Sequence, residues 1–264
     1  MKVVLVDSSA FIYKYFYAFG KKDEEFQKNC AIYGFINMLI TIMLNDEDVK
    51  IYVCFDSANN FRTDLSDSYK AQRKTCPEFL IPQFKSIKEI VTHLGLHKVK
   101  LDGYEADDVI ATLAHKFQAD EKVEEITILS PDKDIIQLLP LSKVHIFKDF
   151  NTELDEEYVM KKFHVSSEMF TTYQALVGDS CDNIKGVKGI GPKTAVKLIN
   201  SDKVVKCPDF LLSFELVTLK SDLKLKYSKN NLETDFPKVC TLLDSYNLKN
   251  LSRRIKTQFK NFFP

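Results

Sequence analysis

No sign of charge prevails in this chain, because 37 lysines and arginines stand against 37 aspartates and glutamates. A neutral surface has no general attraction for polyanions, so any nucleic-acid site must come from local segregation of charge. Long apolar runs are also missing. The longest, Ala31 to Leu44, is broken by Asn37 and falls short of the ~20 residues that cross a bilayer, so it reads as a buried helix and no membrane span is expected. The amino end lacks a charged lead, an apolar core and a small-residue cleavage site. Strand-like Lys2-Val3-Val4-Leu5-Val6 begins at once, and a cytoplasmic protein is expected. The cysteines, Cys30, Cys54, Cys76, Cys181, Cys207 and Cys240, include no pair at zinc-knuckle or redox spacing. Structural zinc is therefore not expected, and a core of this size needs no disulfides, so buried free thiols are. With 8 glycines and 8 prolines in 264 residues, collagen-like and disordered compositions are out.

Apolar runs rich in β-branched residues lie at Val3 to Val6, Ile51 to Phe55, Ile126 to Leu129 and Val144 to Phe147. Helical periodicity fills the gaps at Ala10 to Phe19, Ala31 to Leu44, Gln83 to Leu94 and Ala106 to Phe117. This alternation predicts an α/β fold with a mostly parallel central sheet flanked by helices. After about residue 150 the strand signal stops. Helices are expected at Glu156 to Phe163, Ser167 to Val177 and Lys193 to Ile199, with weaker ones through Leu216 to Tyr227 and Pro237 to Phe262. The expected organisation is an α/β region over 1–150 and an α-helical region over 151–264, with 201–236 the least regular part.

Three expected strands end in aspartate: Asp7, Asp56 and, after Ser130-Pro131, Asp132. Ligands of parallel α/β sheets bind outside the carboxyl ends of the strands, so these carboxylates should converge. One alone would be a helix cap. Several together without a base call for a cation, since neighbouring carboxylates repel. Asp102-Gly103-Tyr104-Glu105-Ala106-Asp107-Asp108 adds four acids before a helix, more than capping and the helix dipole explain. Glu105 and Asp108 share a helical face, whereas Asp107 projects ~100° from Asp108; Asp108 is thus the expected ligand and Asp107 the weaker candidate. Asp132 with Asp134, and Asp179 with Asp182, complete the set. Donors that are all carboxylate select Mg²⁺ or Mn²⁺ over zinc or copper. There are acids enough for two ions, and such a pair ~4 Å apart clamps the oxygens of an in-line phosphoryl displacement.

Two basic features accompany the acids. Lys70 and Arg73 in Tyr69-Lys70-Ala71-Gln72-Arg73-Lys74 share a face if this stretch is helical, and can stabilise charge developing on a phosphate. Between 185 and 203, Lys185, Lys188, Lys193, Lys197 and Lys203 face Asp202 alone. Within that segment Gly186-Val187-Lys188-Gly189-Ile190-Gly191-Pro192-Lys193-Thr194 has the form of a glycine-rich hairpin opening into a helix, whose free N–H groups bind phosphate. A nucleotide P-loop fits poorly, since Pro192 separates glycine from lysine and no strand precedes.

In this order the motifs Val4-Leu5-Val6-Asp7, Val53-Cys54-Phe55-Asp56, Tyr69-Lys70-Ala71-Gln72-Arg73, Gly103-Tyr104-Glu105-Ala106-Asp107-Asp108, Asp132-Lys133-Asp134, Gly178-Asp179-Ser180-Cys181-Asp182-Asn183 and Gly186 to Ala195 resemble the bacterial 5′-nuclease family. That family comprises the amino-terminal 5′-3′ exonuclease domain of DNA polymerase I, its free-standing relatives and the flap endonucleases. Cys181 stands where the family often has serine, and Lys185 where proline is frequent. The resemblance implies a PIN-like 5′-nuclease fold with a helix-hairpin-helix region at about 184–200, and a free-standing nuclease that hydrolyses DNA phosphodiesters at 5′ ends, flaps, nicks and junctions as a monomer. It implies a first metal group of Asp7, Asp56, Glu105, Asp107 and Asp108, with Asp108 shared, and a second of Asp132, Asp134, Asp179 and Asp182. Lys70 and Arg73 become catalytic residues of a helical arch around 60–95. Gly186, Lys188, Gly189, Ile190, Gly191, Lys193 and Thr194 become the duplex grip, with K⁺ held by hairpin carbonyls. A junction-binding protein without catalysis and a metal ribonuclease are the competing readings.

Overall fold

In the computed structural model, which describes residues 1–19, 24–46, 48–204, 206–230 and 232–263, six strands form one sheet. They are β1 (Lys2–Asp7), β2 (Lys50–Cys54), β3 (His97–Val99), β4 (Glu125–Leu129), β5 (Val144–Asp149) and β6 (Thr152–Glu153), in the spatial order β3-β2-β1-β4-β5-β6. All neighbours are parallel except β5 and β6. The chain runs outward from β1 to β3 and then returns to β4 on the other side of β1. The carboxyl ends of β1 and β4 therefore flank a topological switch point, where such sheets bind ligands.

Both faces of the sheet are covered, which is why the strands read as continuous apolar runs. Val4, Val6, Ile51 and Val53 point to helices Ser8–Phe19, Cys30–Asn45 and Ile81–His93. Val3, Leu5, Tyr52, Ile126 and Ile128 point to helix Ala106–Gln118 and, beyond it, to helices Glu156–Phe163, Phe170–Val177, Pro192–Asn200 and Pro208–Val217. Strands continue to β6 at Thr152–Glu153, just past residue 150, and among the described residues every later element is a helix; the last two α-helices return to the first half. Val239, Cys240 and Leu243 of Phe236–Ser245, and Leu251 and Ile255 of Lys249–Gln258, lie in the same cluster as Ile87 and Val91. Among the described residues, no helix is long and apolar enough to cross a membrane.

Three local expectations differ from the structure. Of segment 216–227 only Leu216 and Val217 are helical, as the last residues of another helix. Helix Pro208–Val217, started by proline at its first position, ends there, and an extended strap follows from Thr218. Leu219 and Leu223 are buried, Leu225 and Tyr227 half-buried, and Lys224 and Lys226 exposed, a period of two that belongs to extended chain. The strap lies along helix Ala106–Gln118, where the Thr112 hydroxyl and Lys116 Nζ donate to the carbonyls of Lys220 and Leu223 at 3.1 and 3.0 Å.

Within 60–95, the region of the expected helical arch, the helices are confined to its two ends. A short helix, Phe61–Leu65, is followed by turns and irregular chain, and helix Ile81–His93 buries Ile87, Ile90 and Val91 against the sheet. Lys70 has φ 54° and its N–H donates to the Asp182 carbonyl at 2.9 Å. A left-handed residue with that tertiary bond cannot lie inside a helix, so Lys70 and Arg73 sit on a turn. Finally, Ser167 to Val177 divides into the 3₁₀ turn Ser167–Met169 and helix Phe170–Val177.

Candidate metal centre

Asp7 closes β1 and is 4% exposed. Its Oδ2 accepts the Ser130 hydroxyl at 2.8 Å and its Oδ1 the N–H of Ala10 at 3.1 Å. Asp56, just beyond β2, accepts the N–H of Ala106 at 2.7 Å, which ties β2 to the first turn of helix Ala106–Gln118. Asp132 caps the 3₁₀ turn Lys133–Leu138 by accepting the N–H of Asp134 at 3.0 Å. Burial and the neighbouring Asp56 push the acid of Asp7 up to about 7. Burial, with Asp132 and Asp7 close by, holds Asp107 well above the usual carboxylate range, and burial also raises Asp132. Asp7, Asp56 and Asp132 thus follow the carboxyl ends of β1, β2 and β4, and Asp107, in the first turn of helix Ala106–Gln118, feels the charges of Asp132 and Asp7.

The second group lies beside it. Single oxygens of Asp134, Asp179 and Asp182 all lie within 4.8 Å of one another. Gln174, 2% exposed on helix Phe170–Val177, donates to Asp134 at 2.6 Å, and burial with Asp132 pushes that acid up to about 8. Asp179 accepts the N–H of Cys181 at 2.9 Å and the Nζ of Lys133. The loop carrying Asp179 and Asp182 is held by paired N–H···O bonds of 2.8 Å between Asp179 and Ile184.

The bases enter from the turn at 69–73. Arg73 donates to Asp182 Oδ1 at 2.6 Å, Tyr69 to Glu105 at 2.8 Å and to Asp182 at 3.2 Å. Lys70 reaches Glu105 and lies 3.3 Å from Asp182. Burial works to raise Glu105 and Asp182, but Lys70 with Arg62, and Lys70 with Arg73, hold them below the usual carboxylate range. Lys70 thus bridges the helix turn of the first group and the loop of the second.

Asp108 differs most from expectation. It is 0% exposed and does not face the other acids: Arg62, 2% exposed, takes its two oxygens at 2.7 and 2.8 Å. Asp108 Oδ1 also accepts the N–H of Lys220 at 2.9 Å. With these donors in place, neither oxygen is free for a shared metal, and Asp107 is the member of the pair that turns inward. The ~100° separation holds, but the inward direction is the opposite of the expected one. Arg62, Ser130, Lys133 and Gln174 were not among the expected site residues. No spacing pairs Arg62 with an acid 46 residues away.

Helices Phe170–Val177 and Pro192–Asn200 are joined through residues 178–191. Gly186 is buried there. Its φ is +66°, and a Cβ on it would stand 2.4 Å from the amide nitrogen of Gly178. Its glycine is required by chain packing, and it presents no surface to a duplex. Lys188, Gly189, Gly191, Lys193 and Thr194 are exposed, and Ile190 is half-buried.

The donors fit a hard divalent ion: all are oxygens, one trio is already within a coordination sphere's span, and the amide oxygen of Gln174 beneath it has no partner. In EDTA the same crowding has a sign that can be tested. Asp7 and Asp134, with folded acids at about 7 and 8 against 3.8 unfolded, contribute most below pH 4 and lose that contribution as pH rises to about 8. Asp107 and Asp132 act in the same direction, while the lowered acid of His97 opposes them. Scanning calorimetry should therefore show the metal-free Tm falling between pH 5.5 and 8, and Mg²⁺ removing that fall. A flat or rising Tm in EDTA contradicts the clustering.

Buried carboxylates at the carboxyl ends of parallel strands, overlooked by bases from one turn, define an acid-lined site for hard cations. Residues 2–164 match the family described as 5′-3′ exonuclease, N-terminal resolvase-like domain, and residues 165–206 match 5′-3′ exonuclease, C-terminal SAM fold. The chain is 35% identical to the 5′-3′ exonuclease of Aquifex aeolicus over 97% of its own length and 96% of that protein. It is also 35% identical to the thermostable DNA polymerase I of Thermus aquaticus, over 89% of this chain and 29% of the polymerase. The fold resembles that of the bacteriophage T5 flap endonuclease in a pseudo-enzyme-product complex with DNA and metal ions, with TM-score 0.60, 19% identity and 98% of each chain covered. The chain belongs to the 5′-3′ exonuclease family.

Proposed function

We propose that the protein is a structure-specific DNA 5′-nuclease, acting as exonuclease and flap endonuclease with two Mg²⁺ ions for which Mn²⁺ can substitute. The observation that carries this reading is the convergence of Asp134, Asp179 and Asp182 beside the raised acids Asp7, Asp107 and Asp132. Asp7, Asp56, Asp107 and Asp132, with Glu105 alongside, would hold one ion, and Asp134, Asp179 and Asp182 the other. When bound, the ions polarise the phosphate and ease ionisation of a water. The chain's own residues do the rest. Ser130, Ala106 N–H and Gln174 fix the carboxylate rotamers. Lys70 and Arg73, paired here with Glu105 and Asp182, would turn to the scissile phosphate and stabilise the charge that develops on it. Lys188, Gly189, Ile190, Gly191, Lys193 and Thr194 form a helix-hairpin-helix grip on duplex backbone, with K⁺ on hairpin carbonyls. Residues 1–150 supply most of the cutting site, and the α-helical region 151–264 adds Asp179 and Asp182 to it and carries the grip at about 184–200, in a monomer. Its six free thiols accord with a cytoplasmic setting, although only Cys30, Cys54 and Cys240 are buried as expected and Cys181 is exposed.

A 5′-labelled flap duplex tests this. With Mg²⁺ a short labelled product and a 5′-phosphate on the remaining strand are expected, with no product in EDTA. Salt-sensitive binding with no turnover in any divalent metal would make it a junction-binding protein instead, and equal cutting of RNA flaps would revive the ribonuclease. Lys70→Ala should lower the single-turnover rate by on the order of 10²–10³-fold, with duplex affinity measured in Ca²⁺ changed less than about twofold. A loss confined to affinity reassigns Lys70 to substrate capture.

A further inference from the structure

Arg62 lies two residues after Asn60, whose side chain caps helix Phe61–Leu65 by accepting the Arg62 N–H, and every polar atom of its guanidinium is committed. Besides the fork onto Asp108, Nε donates to the Leu216 carbonyl at 2.7 Å, Nη2 to the Thr218 carbonyl at 3.1 Å, and Nη1 lies 3.4 Å from Glu105. The Phe61 ring stacks beneath it at 4.6 Å. Three segments distant in sequence meet on this one side chain: the stretch after β2, the turn carrying Glu105 and Asp107, and the carboxyl end of helix Pro208–Val217.

That helix leads to the duplex grip. It packs on helix Phe170–Val177, which packs on helix Pro192–Asn200, and the N–H of Val187 in the hairpin donates to Leu176 at 2.8 Å. Ser213 and Leu216 also form one wall of a cleft of about 530 Å³ whose other walls are Ser66, Ser68, Lys185 and Lys188. The loop 178–184 that leads into the hairpin connects to the cutting half through Asp182 with Lys70 and Arg73 and through Asp179 with Lys133, but the Lys70 and Arg73 contacts must loosen if those bases turn to phosphate. The Arg62 fork is buried and has no such second task.

We infer that Arg62 and Asp108 are positioning residues that fix the register between the duplex grip and the metal-holding turn, and so set the nucleotide at which the strand is cut. This rests on the nuclease reading above. Successive phosphates of one strand advance about 3.4 Å along a duplex, so a shift of that size between grip and acids moves the cut by one nucleotide. A flexible lysine at position 62 keeps the charge but loses the planar fork that spans Asp108 and the two carbonyls.

The test uses the full chain, Arg62→Lys, and the double variant Arg62→Met with Asp108→Leu, in which apolar groups replace both charges. Mn²⁺ binding is followed by electron paramagnetic resonance, duplex affinity by anisotropy in Ca²⁺, folding by thermal melt, and cut sites by sizing the labelled flap product. Wild type should give one dominant cut. The folded variants should spread cutting over neighbouring nucleotides and bind Mn²⁺ about tenfold more weakly, with duplex affinity within about twofold. A folded variant that keeps the wild-type cut position and Mn²⁺ affinity overturns the proposal, and the double variant decides it if Arg62→Lys does not fold. Should wild type bind Mn²⁺ and duplex yet cut nothing, the nuclease reading fails, and the Mn²⁺ affinity ratio still judges the pair.

Discussion

Asp107→Asn is expected to reduce Mg²⁺-dependent cleavage by on the order of 10²–10³-fold while leaving the metal-free protein as stable as wild type or more so. Asp107 sits among Asp132, Asp7 and Glu105, and burial with their repulsion disfavours its charge. Neutral asparagine removes that repulsion at pH 8 but supplies a weaker donor to a cation. Steady-state cleavage and a melt in EDTA measure the two effects. Full activity in the variant would remove Asp107 from the site.

Asp108→Asn should act the other way round, through the fold. Arg62 would be left buried with half its partner, and breaking a buried ion pair costs about 3–5 kcal/mol. At about 2–4 °C per kcal/mol for a domain of this size, the EDTA Tm should drop by roughly 6–20 °C, and the remaining activity should be limited by folded fraction and by misplacement of the Glu105 turn. An Asp108→Asn protein that melts like wild type in EDTA but responds less to Mg²⁺ would restore Asp108 as a ligand.

The contrast between these neighbours shows where sequence reading stops. The strand-end acids Asp7, Asp56 and Asp132 were legible because an apolar β run followed by aspartate is a local pattern, and parallel topology converts it into convergence. Asp179 and Asp182 were legible as a pair because a spacing of three turns two side chains to one face of a helical turn, although the chain there is a turn closed by the Asp179–Ile184 bridge. Which of Asp107 and Asp108 turns inward depended on Arg62, Leu216 and Thr218, partners brought together only by tertiary packing. The same holds for Gly186, which looks like a phosphate-contact glycine in sequence but is needed for its close approach to Gly178. The strap after Val217 was misread because Leu223, Leu225 and Tyr227 alternate with lysines over too few residues to outweigh the helical neighbours. Lys70 and Arg73 do lie beside the acids, against Glu105 and Asp182, but on a turn rather than on a helix face. Their placement comes from the bond between Lys70 N–H and the Asp182 carbonyl, a contact that no local periodicity encodes.

Crystals grown with Mn²⁺ and measured at its absorption edge test the central claim most directly. The account predicts two anomalous peaks, one bounded by Asp7, Asp107 and Asp132 and one by Asp134, Asp179 and Asp182, with Asp108 still forked onto Arg62. Peaks confined to surface carboxylates, or a peak ligated by Asp108 with Arg62 displaced, would contradict it.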